Sequence, residues 1–185
     1  KSPSVAMPFN GLTQEGYAQK MIDEYRAAGV SPHHVFAQSF NLADVLYWVR
    51  HEHAFGRQAV FLDAIDPTDA NPYNDRPRTL AELQALRAQG VRIIAPPTWA
   101  LLALDWKNDI VPSPYALDAK AAGLDIITWT LERSGILADG DGGWYYQSIN
   151  PALKNEGATM EALHVLARDV GIRGIFSDWP ATVTY

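Results

Sequence analysis

The sequence lacks several features that would assign it at once to a class of protein. It contains no cysteine, which excludes disulfide bonds and thiolate metal sites. No apolar run approaches the ~20 residues that a membrane-spanning helix requires. Basic residues are few, with 15 Lys and Arg against 21 Asp and Glu and a net charge of −6. Because contacts to nucleic-acid phosphates need clustered Lys and Arg, this balance argues against a nucleic-acid partner.

Common catalytic and nucleotide-binding motifs are missing as well. The chain has no glycine-rich phosphate loop, no dinucleotide-binding fingerprint and no nucleophile elbow. It begins with Lys1 rather than Met and shows no signal-like segment, so we expect a processed or truncated start. Its 185 residues are enough to bury ~70% of the surface of the unfolded chain, and no linker divides them. One domain over residues 1–185 is therefore expected.

What the sequence does contain is an alternation of short apolar runs with helical segments. Short apolar runs bounded by Gly, Pro, Asp or Asn predict buried parallel strands. These runs cover residues 35–37, 59–62, 91–94, 124–127 and 172–176. Helix starts are predicted at five N-cap residues, namely Thr13, Asn41, Thr79, Ser113 and Thr159. Gly90, Gly123 and Gly171 each end a helix directly before an apolar strand, which indicates βαβ crossovers.

The pattern predicts an α/β fold and leaves two architectures open. About five strand–helix units fit either an open doubly wound sheet or most of a (β/α)8 TIM-type barrel. A complete barrel needs ~250 residues, so this chain would form only part of one. Both architectures place ligands at the carboxyl ends of the strands. Polar and aromatic residues follow the predicted strands at 38–40, 63, 96–97, 129–130 and 177–180.

Two long connections, 63–78 and 132–157, are typical of lids or binding loops. The second carries Trp144, Tyr145 and Tyr146, which would lie near two tryptophans at strand ends, Trp129 and Trp179. An aromatic residue at the end of a buried strand is often part of the core. The alternative is an aromatic wall that covers a polyol or a lipid-like group.

Two groups of residues invite a metal-binding interpretation, which the spacing does not favour. His51 and His53 lie two residues apart and would point to different faces of a helix, so we expect solvated or capping histidines there and at His33–His34. The segment 139–143 resembles the start of a calcium loop. It lacks the third acidic position and the closing Glu, so we expect a plain flexible turn.

Several of these motifs together resemble the glycerophosphodiester phosphodiesterase family. They are Gln-Ser-Phe-Asn at 38–41, Pro-Pro at 96–97 followed by an aromatic residue and leucines, Ile-Thr-Trp-Thr at 127–130, and the segment 171–180 with its Ser-Asp-Trp-Pro ending. The last two are the most specific. The resemblance implies that the chain covers roughly the last five strand–helix units of a (β/α)8 barrel, with a long insertion after Trp129.

The resemblance also implies an activity, the hydrolysis of a glycerophosphodiester to glycerol phosphate and an alcohol. Such a reaction needs cations that shield the phosphate charge and an acid that protonates the leaving alkoxide. The family's His-Arg-Gly, Glu-x-Asp and His-Asp motifs do not occur here. Lys1-Ser2-Pro3 resembles the end of a further motif, Glu-x-Lys. We therefore expect no catalytic residue and no metal ligand in this chain, and an inactive isolated polypeptide.

The resemblance implies that this chain supplies substrate-binding residues. Lys1 would act on the phosphate charge, and Gln38 would form hydrogen bonds. Phe40 and Trp129, and more weakly Trp179, would provide ring surfaces for the glycerol or alcohol moiety. The complete enzyme is expected to hold Ca²⁺ or Mg²⁺, with the amino-terminal part of the barrel as the partner of this chain. A periplasmic or secreted location is favoured, since members with the long aromatic loop are often exported. Two alternatives stay open: a non-catalytic polyol- or sugar-binding module, and a structural fragment that associates with a separate amino-terminal chain.

Overall fold

The computed structural model describes residues 6–65 and 76–184. The helices are α1 Gln14–Ala27, α2 Leu42–His51, α3 His53–Gly56, α4 Leu80–Ala88, α5 Thr98–Leu101, α6 Pro114–Ala121, α7 Ala158–His164 and α8 Pro180–Thr184. The strands are β1 Gln38–Ser39, β2 Val60–Leu62, β3 Ile93–Ala95, β4 Leu102–Leu104, β5 Ile110–Pro112, β6 Asp125–Thr128 and β7 Gly174–Ile175. A π-helical turn, Val165–Val170, continues α7.

Five of the strands form one sheet in the order β1-β2-β3-β6-β7, and every pair in it is parallel. The order in space is therefore the order along the chain. Among the described strands, β1 pairs only with β2 and β7 only with β6, so these two are the edges. Since all five run in the same direction, the residues that follow them meet at one edge of the sheet, the carboxyl edge.

Four of the five predicted helix starts are confirmed. The side chains of Thr13, Asn41 and Ser113 accept hydrogen bonds from backbone N–H groups of the first helical turn, at 3.0–3.1 Å. Thr79 and Glu82 form the predicted capping box. A cap of this kind stabilises a helix by about 1 kcal/mol. The fifth prediction was wrong: α7 begins at Ala158 after Gly157, and Thr159 lies inside its first turn.

The three glycine joints between helix and strand are also confirmed. Gly90, Gly123 and Gly171 have φ values of 98°, 74° and 69°, a backbone region that residues with a side chain adopt only at a cost. The N–H of the next residue returns to a carbonyl in the last turn of the helix, as in Leu124 N to Ala119 O at 3.1 Å.

Strand boundaries were predicted less well than helix starts. The run 35–37 was expected to be a strand, but β1 begins only at Gln38. The antiparallel hairpin of β4 and β5 was not predicted, because β4 continues an apolar run that starts inside α5. Both errors concern pairing between segments, which the residues of a single segment do not encode.

The two faces of the sheet pack differently. Phe61, Ile94 and Ile126 belong to the main core, together with buried residues of the helices. The alternate positions point to the other face and form a second group, which we call the strand-only cluster: Val60, Leu62, Ile93, Ala95, Ile127 and Trp129. All members of this cluster lie on strands or, for Trp129, directly after one, so within the described residues no helix contributes to it.

Candidate functional site

Trp129 connects the carboxyl edge of the sheet to the residues above it. Its ring is half-buried and packs on the strand-only cluster, while its indole Nε1 donates to the carbonyl of Ala95, the last residue of β3, at 2.7 Å. Its own carbonyl accepts a hydrogen bond from Thr98 N at 2.9 Å, and the Trp129–Thr130 peptide bond is cis. Trp129 therefore contributes both to the core and to the surface of the site, the two interpretations that the sequence left open.

Above Trp129 the structure brings together five aromatic rings, which we call the aromatic cluster: Phe40, Trp99, Trp129, Trp144 and Tyr145. The centroids of Phe40 and Trp129 are 6.1 Å apart in a T-shaped contact, and Trp144 stacks on Trp129 at 5.8 Å. Trp99 meets Trp144 edge to face at 6.0 Å. Tyr145 contacts both Trp129 and Trp144. Such pairs prefer these geometries because of the ring quadrupole.

Residues 132–157, the cap segment, hold Trp144 and Tyr145 in place. Within the cap segment, Leu137, Tyr146 and Ile149 are fully buried and belong to the main core. The Tyr146 hydroxyl donates to the carbonyl of Leu131, and burial raises the pKa of Tyr146 to about 12. Tyr146, which was grouped with the aromatic wall in the sequence, is thus part of the support beneath it.

The turn at 139–143 is tied to the rest of the cap segment. Asn150 accepts a hydrogen bond from Gly142 N and donates to the carbonyl of Gly140, both at 2.9 Å. A Cβ atom on Gly142 would lie 2.9–3.0 Å from the side chains of Leu153 and Tyr146, so the turn packs closely against its neighbours.

A polar network joins the ends of β6 and β7. The Glu132 carboxylate accepts hydrogen bonds from the Ser177 hydroxyl and from Asp178 N, the latter at 3.0 Å. Arg133 Nε lies 3.1 Å from Asp178 Oδ2, and this contact raises the pKa of Arg133. These hydrogen bonds and the ion pair fix the positions of the four side chains and backbone groups relative to each other.

A second network lies at the end of β2. Asp63 is fully buried, and both of its carboxylate oxygens accept hydrogen bonds from Arg78 Nε at 3.0 and 3.1 Å. The Tyr115 hydroxyl donates to Asp63 Oδ2 at 2.8 Å. Burial, with the nearby Asp63 charge, raises the pKa of Tyr115 well above its usual value. Sequence analysis placed Asp63 at this edge but gave no signal for Arg78 or Tyr115, which lie 15 and 52 residues further along the chain.

An open cleft of about 240 Å³ lies beside the aromatic cluster, between β1 and the helices α1 and α2. Gln38, Ser39, Phe40 and Asp44 line it. The buried Asp44 carboxylate accepts hydrogen bonds from the Ser39 hydroxyl at 2.7 Å and from Gln14. Because Phe40 borders the cleft and touches Trp129, the cleft and the aromatic cluster form one continuous surface.

The five predicted substrate-binding residues end up in different places. Phe40 and Trp129 are in contact, and Gln38 lies in the cleft next to Phe40. Trp179 is 68% exposed, and within the described residues it makes no ring contact with the aromatic cluster. Lys1 lies outside the described residues. Trp99 was considered in the sequence only as the aromatic residue that follows Pro96 and Pro97. Its position a few residues after the end of β3 is the signal that could have identified it as a site residue.

The histidines lie away from this site. His33 and His34 form an exposed turn before β1, and His53 is exposed with Nδ1 3.0 Å from the carbonyl of Val49. Between His51 and His53, Glu52 is buried and binds Arg26 and Gln19, a role that the sequence did not indicate. Burial acts to raise the pKa of Glu52, but the hydrogen bonds from Arg26 and Gln19 outweigh it and lower that pKa.

The described residues do not offer a site for a divalent cation. Residues 6–65 and 76–184 contain no group of three or more His, Asp or Glu side chains able to hold one. At the carboxyl edge, the carboxylates of Asp63 and Asp178 are each bound to an arginine, and that of Glu132 accepts its bonds from residues after β7. None of the helices in this part of the chain is long and apolar enough to cross a membrane.

Comparison with known proteins identifies a relative over the full length of this chain. No model of a protein family matches the chain. A protein of Arthroderma benhamiae named "Extracellular protein" is 49% identical over 188 residues, which span all of this chain and 75% of that relative.

Proposed function

This chain belongs to the family of the Arthroderma benhamiae extracellular protein, and we propose that it is the carboxyl-terminal part of a glycerophosphodiester phosphodiesterase barrel. The complete enzyme would hydrolyse a glycerophosphodiester to glycerol phosphate and an alcohol. In this proposal the described residues bind and orient the substrate, while the acid–base histidines are supplied by a part of the barrel that precedes them.

The strand-only cluster is the observation that carries the proposal. In a doubly wound sheet, helices cover both faces, and both apolar clusters would contain helix residues. In a barrel, one face turns inward and is filled by side chains from the strands themselves. Val60, Ile93 and Ala95 are 0–1% exposed, and among residues 6–65 and 76–184 their hydrophobic partners come from strands or strand ends. The strand order, in which each strand is added on the same side, supports the same architecture.

The length of the relative gives independent support. It is about 250 residues long, because the 188 aligned residues make up 75% of it. That is the typical size of a (β/α)8 barrel, ~250 residues. A (β/α)8 barrel needs three strand–helix units beyond the five described parallel strands, and the remaining quarter of the relative would have to supply them.

The arrangement of the site fits a substrate with an apolar edge and a charged phosphate. Phe40 and Trp129 provide ring surfaces for the carbon atoms of glycerol or of the alcohol, and Gln38 lies in the adjoining cleft to hydrogen-bond a polar group. Lys1 is proposed to act on the phosphate charge. Trp179 takes at most a minor part, because it is exposed and apart from the other rings.

The proposed Ca²⁺ or Mg²⁺ does not fit the residues described here, so no step is routed through it. These cations prefer several carboxylate oxygens, and the acidic side chains at the carboxyl edge are already engaged. Its ligands are proposed to lie in the preceding part of the enzyme. We also propose that the protein is secreted, on the strength of the name of its relative.

Phosphodiester cleavage is directly measurable. The full-length parent protein is incubated with glycerophosphocholine, and ³¹P NMR follows conversion of the diester to a monoester. We expect turnover, a raised KM in Phe40→Ala, and no change in Trp106→Ala, a control whose indole is 86% exposed on the β4–β5 hairpin. Absence of any monoester with a range of glycerophosphodiesters and added Ca²⁺ or Mg²⁺ would contradict the proposal.

A non-catalytic polyol- or sugar-binding module is the second candidate, favoured by the position of the histidines. All five, at 33, 34, 51, 53 and 164, lie on helices or turns away from the aromatic cluster. The coding sequence upstream of Lys1 separates the two candidates. A Glu two residues before Lys1, with His-Arg-Gly and Glu-x-Asp motifs further upstream, favours the enzyme, and their absence favours the binding module.

The third alternative, a fragment that needs a partner chain, concerns the edges of the sheet. Strands β1 and β7 each have one neighbour among the described strands, and unpaired edges promote association. We expect the 185-residue polypeptide alone to be poorly soluble or to require the preceding part of the barrel. A compact, cooperatively unfolding monomer in sedimentation experiments would contradict this expectation.

A further inference from the structure

Three polar atoms beside the aromatic cluster have no hydrogen-bond partner. They are the indole Nε1 atoms of Trp99 and Trp144 and the hydroxyl of Thr98, and each is shut off from solvent in the described structure. Thr98 is 0% exposed. A fourth such atom, Ser148 Oγ, lies in the cap segment that carries Trp144. Buried donors without acceptors are rare in native proteins, since leaving them unpaired costs free energy.

Other polar groups nearby are satisfied, so the lack of a partner is specific to these atoms. Trp129 Nε1 donates to the carbonyl of Ala95, and the Thr128 hydroxyl donates to the carbonyl of Pro96 at 2.9 Å. The unpartnered indoles are those of Trp99 and Trp144, whose rings touch at 6.0 Å. They belong to different elements, because Trp99 lies on α5 and Trp144 on the cap segment.

The chemistry of this place combines hydrogen-bond donors with ring surfaces. A ligand that satisfies it needs oxygen acceptors next to an apolar C–H face, which is the character of a polyhydroxylated alcohol. A quaternary ammonium group also binds aromatic faces, but it has no acceptor for the two indole N–H groups. A glycerophosphodiester can carry either a polyol or an alcohol with a quaternary ammonium group. The unpartnered donors favour the polyol.

We propose that Thr98, Trp99 and Trp144 form a subsite for a polyol, which is the alcohol moiety of the substrate; this inference rests on the proposed function. The ligand places hydroxyl oxygens as acceptors for the two indole N–H groups and the Thr98 hydroxyl. Since these atoms are closed off in the present arrangement, the polyol enters as the cap segment separates from α5 and closes again over the ligand.

The binding test does not depend on catalysis. Full-length protein with ¹⁵N-labelled tryptophan is titrated with myo-inositol, and the indole N–H resonances are followed. We expect the resonances of Trp99 and Trp144 to shift and that of exposed Trp106 to stay in place. Trp99→Phe and Trp144→Phe keep an aromatic ring but remove the donor, and each is expected to weaken binding about fivefold to tenfold. Trp106→Phe is the matched control.

Unchanged affinity in both Phe variants would overturn the inference, because the two N–H groups would then be satisfied by ring faces or by water. A second measurement compares hydrolysis of glycerophosphoinositol with that of glycerophosphocholine. We expect Trp144→Phe to raise KM for the inositol ester about fivefold to tenfold, more than for the choline ester, and the control Trp106→Phe to change KM for neither ester. Equal effects on both esters would contradict the polyol subsite while leaving the phosphodiesterase proposal intact. If inositol binding depends on the indole donors but neither ester is hydrolysed, the polyol subsite is supported and the phosphodiesterase proposal is contradicted.

Discussion

Trp129 and Trp179 each follow a strand of the same parallel sheet, Trp129 directly after β6 and Trp179 four residues after the end of β7, and their environments differ. Trp129 is half-buried, hydrogen-bonded to Ala95 and packed between Phe40 and Trp144. Trp179 is 68% exposed. The difference follows from the position of the strands, because β6 lies between β3 and β7, while β7 pairs with one strand among those described.

The end of an interior strand is surrounded by residues from the strands on both sides, and an edge strand lacks half of these contacts. The same contrast appears at β2, another interior strand, where Asp63 is enclosed by Arg78 and Tyr115. After β7, Ser177 is half-buried and Asp178 is exposed, and both bind Glu132, which follows β6. Interior strand ends should therefore be costly to change and edge strand ends tolerant.

The largest effect is expected at the end of β2. Arg78→Gln removes the cation from a fully buried carboxylate, and breaking a buried pair in this way costs about 3 kcal/mol or more of unfolding free energy. Urea denaturation measures it. Arg92→Gln, at an exposed arginine, is the control and should change stability by less than about 0.5 kcal/mol. Equal effects of the two substitutions would show that the Asp63 network does not stabilise this strand end.

The variants Trp129→Ala and Trp179→Ala compare the end of the interior strand β6 with the end of β7. Full truncation of a core aromatic costs about 3–5 kcal/mol, so a half-buried ring should cost about 2–3 kcal/mol. Turnover in the proposed phosphodiesterase should fall as well, at least about tenfold in kcat/KM, because the ring also faces the candidate site. Trp179→Ala should leave stability within about 0.5 kcal/mol. A stability loss with unchanged kinetics would assign Trp129 to the core alone.

The cap segment above β6 predicts a specific pH dependence. The pKa of Tyr146 is raised from about 10 to about 12, so the neutral hydroxyl favours the folded state. This contribution is complete below pH 10 and is lost as the pH rises from 10 to 12, up to about 2–3 kcal/mol. Denaturation across this range in the wild type and Tyr146→Phe measures it, and the variant should lose less stability. Parallel curves would place Tyr146 in a less enclosed environment.

The smallest of these effects is expected at the edge itself. Ser177→Ala removes the hydroxyl that donates to Glu132 and accepts from Trp179 N, which should cost about 1 kcal/mol. Ser31→Ala, at an exposed serine whose side chain caps no helix, serves as the control. A loss at Ser177 as large as that at Arg78 would remove the distinction between interior and edge strand ends.

Local features of the fold were predicted from the sequence because their causes lie within a few residues. An N-cap such as Asn41 binds the backbone two residues later, and Gly123 ends α6 by its own backbone conformation. The hairpin of β4 and β5 and the start of α7 were not predicted. In the hairpin the stabilising contacts join separate segments, and at α7 the residue at the N-cap, Gly157, has no capping side chain that marks the start.

The candidate site was predicted in part. The rule that residues after parallel strands meet at one edge correctly placed Phe40 near Trp129, and the long loop with Trp144 above them. The unpartnered donors of Trp99 and Trp144 were not foreseen. Whether a donor finds an acceptor depends on how two distant segments meet, and the sequence does not contain that geometry.

By itself, the sequence determined the alternation of helices and parallel strands, since caps, glycine joints and apolar runs act over short distances along the chain. Only the tertiary structure decided that Trp129 would join the aromatic cluster while Trp179 stayed exposed, and that Asp63 would be neutralised by Arg78 and Tyr115. The physical reason is that burial and pairing depend on neighbours in space. Trp129 and Trp179 therefore differ because β6 has strands on both sides, whereas β7 has one neighbour among the described strands.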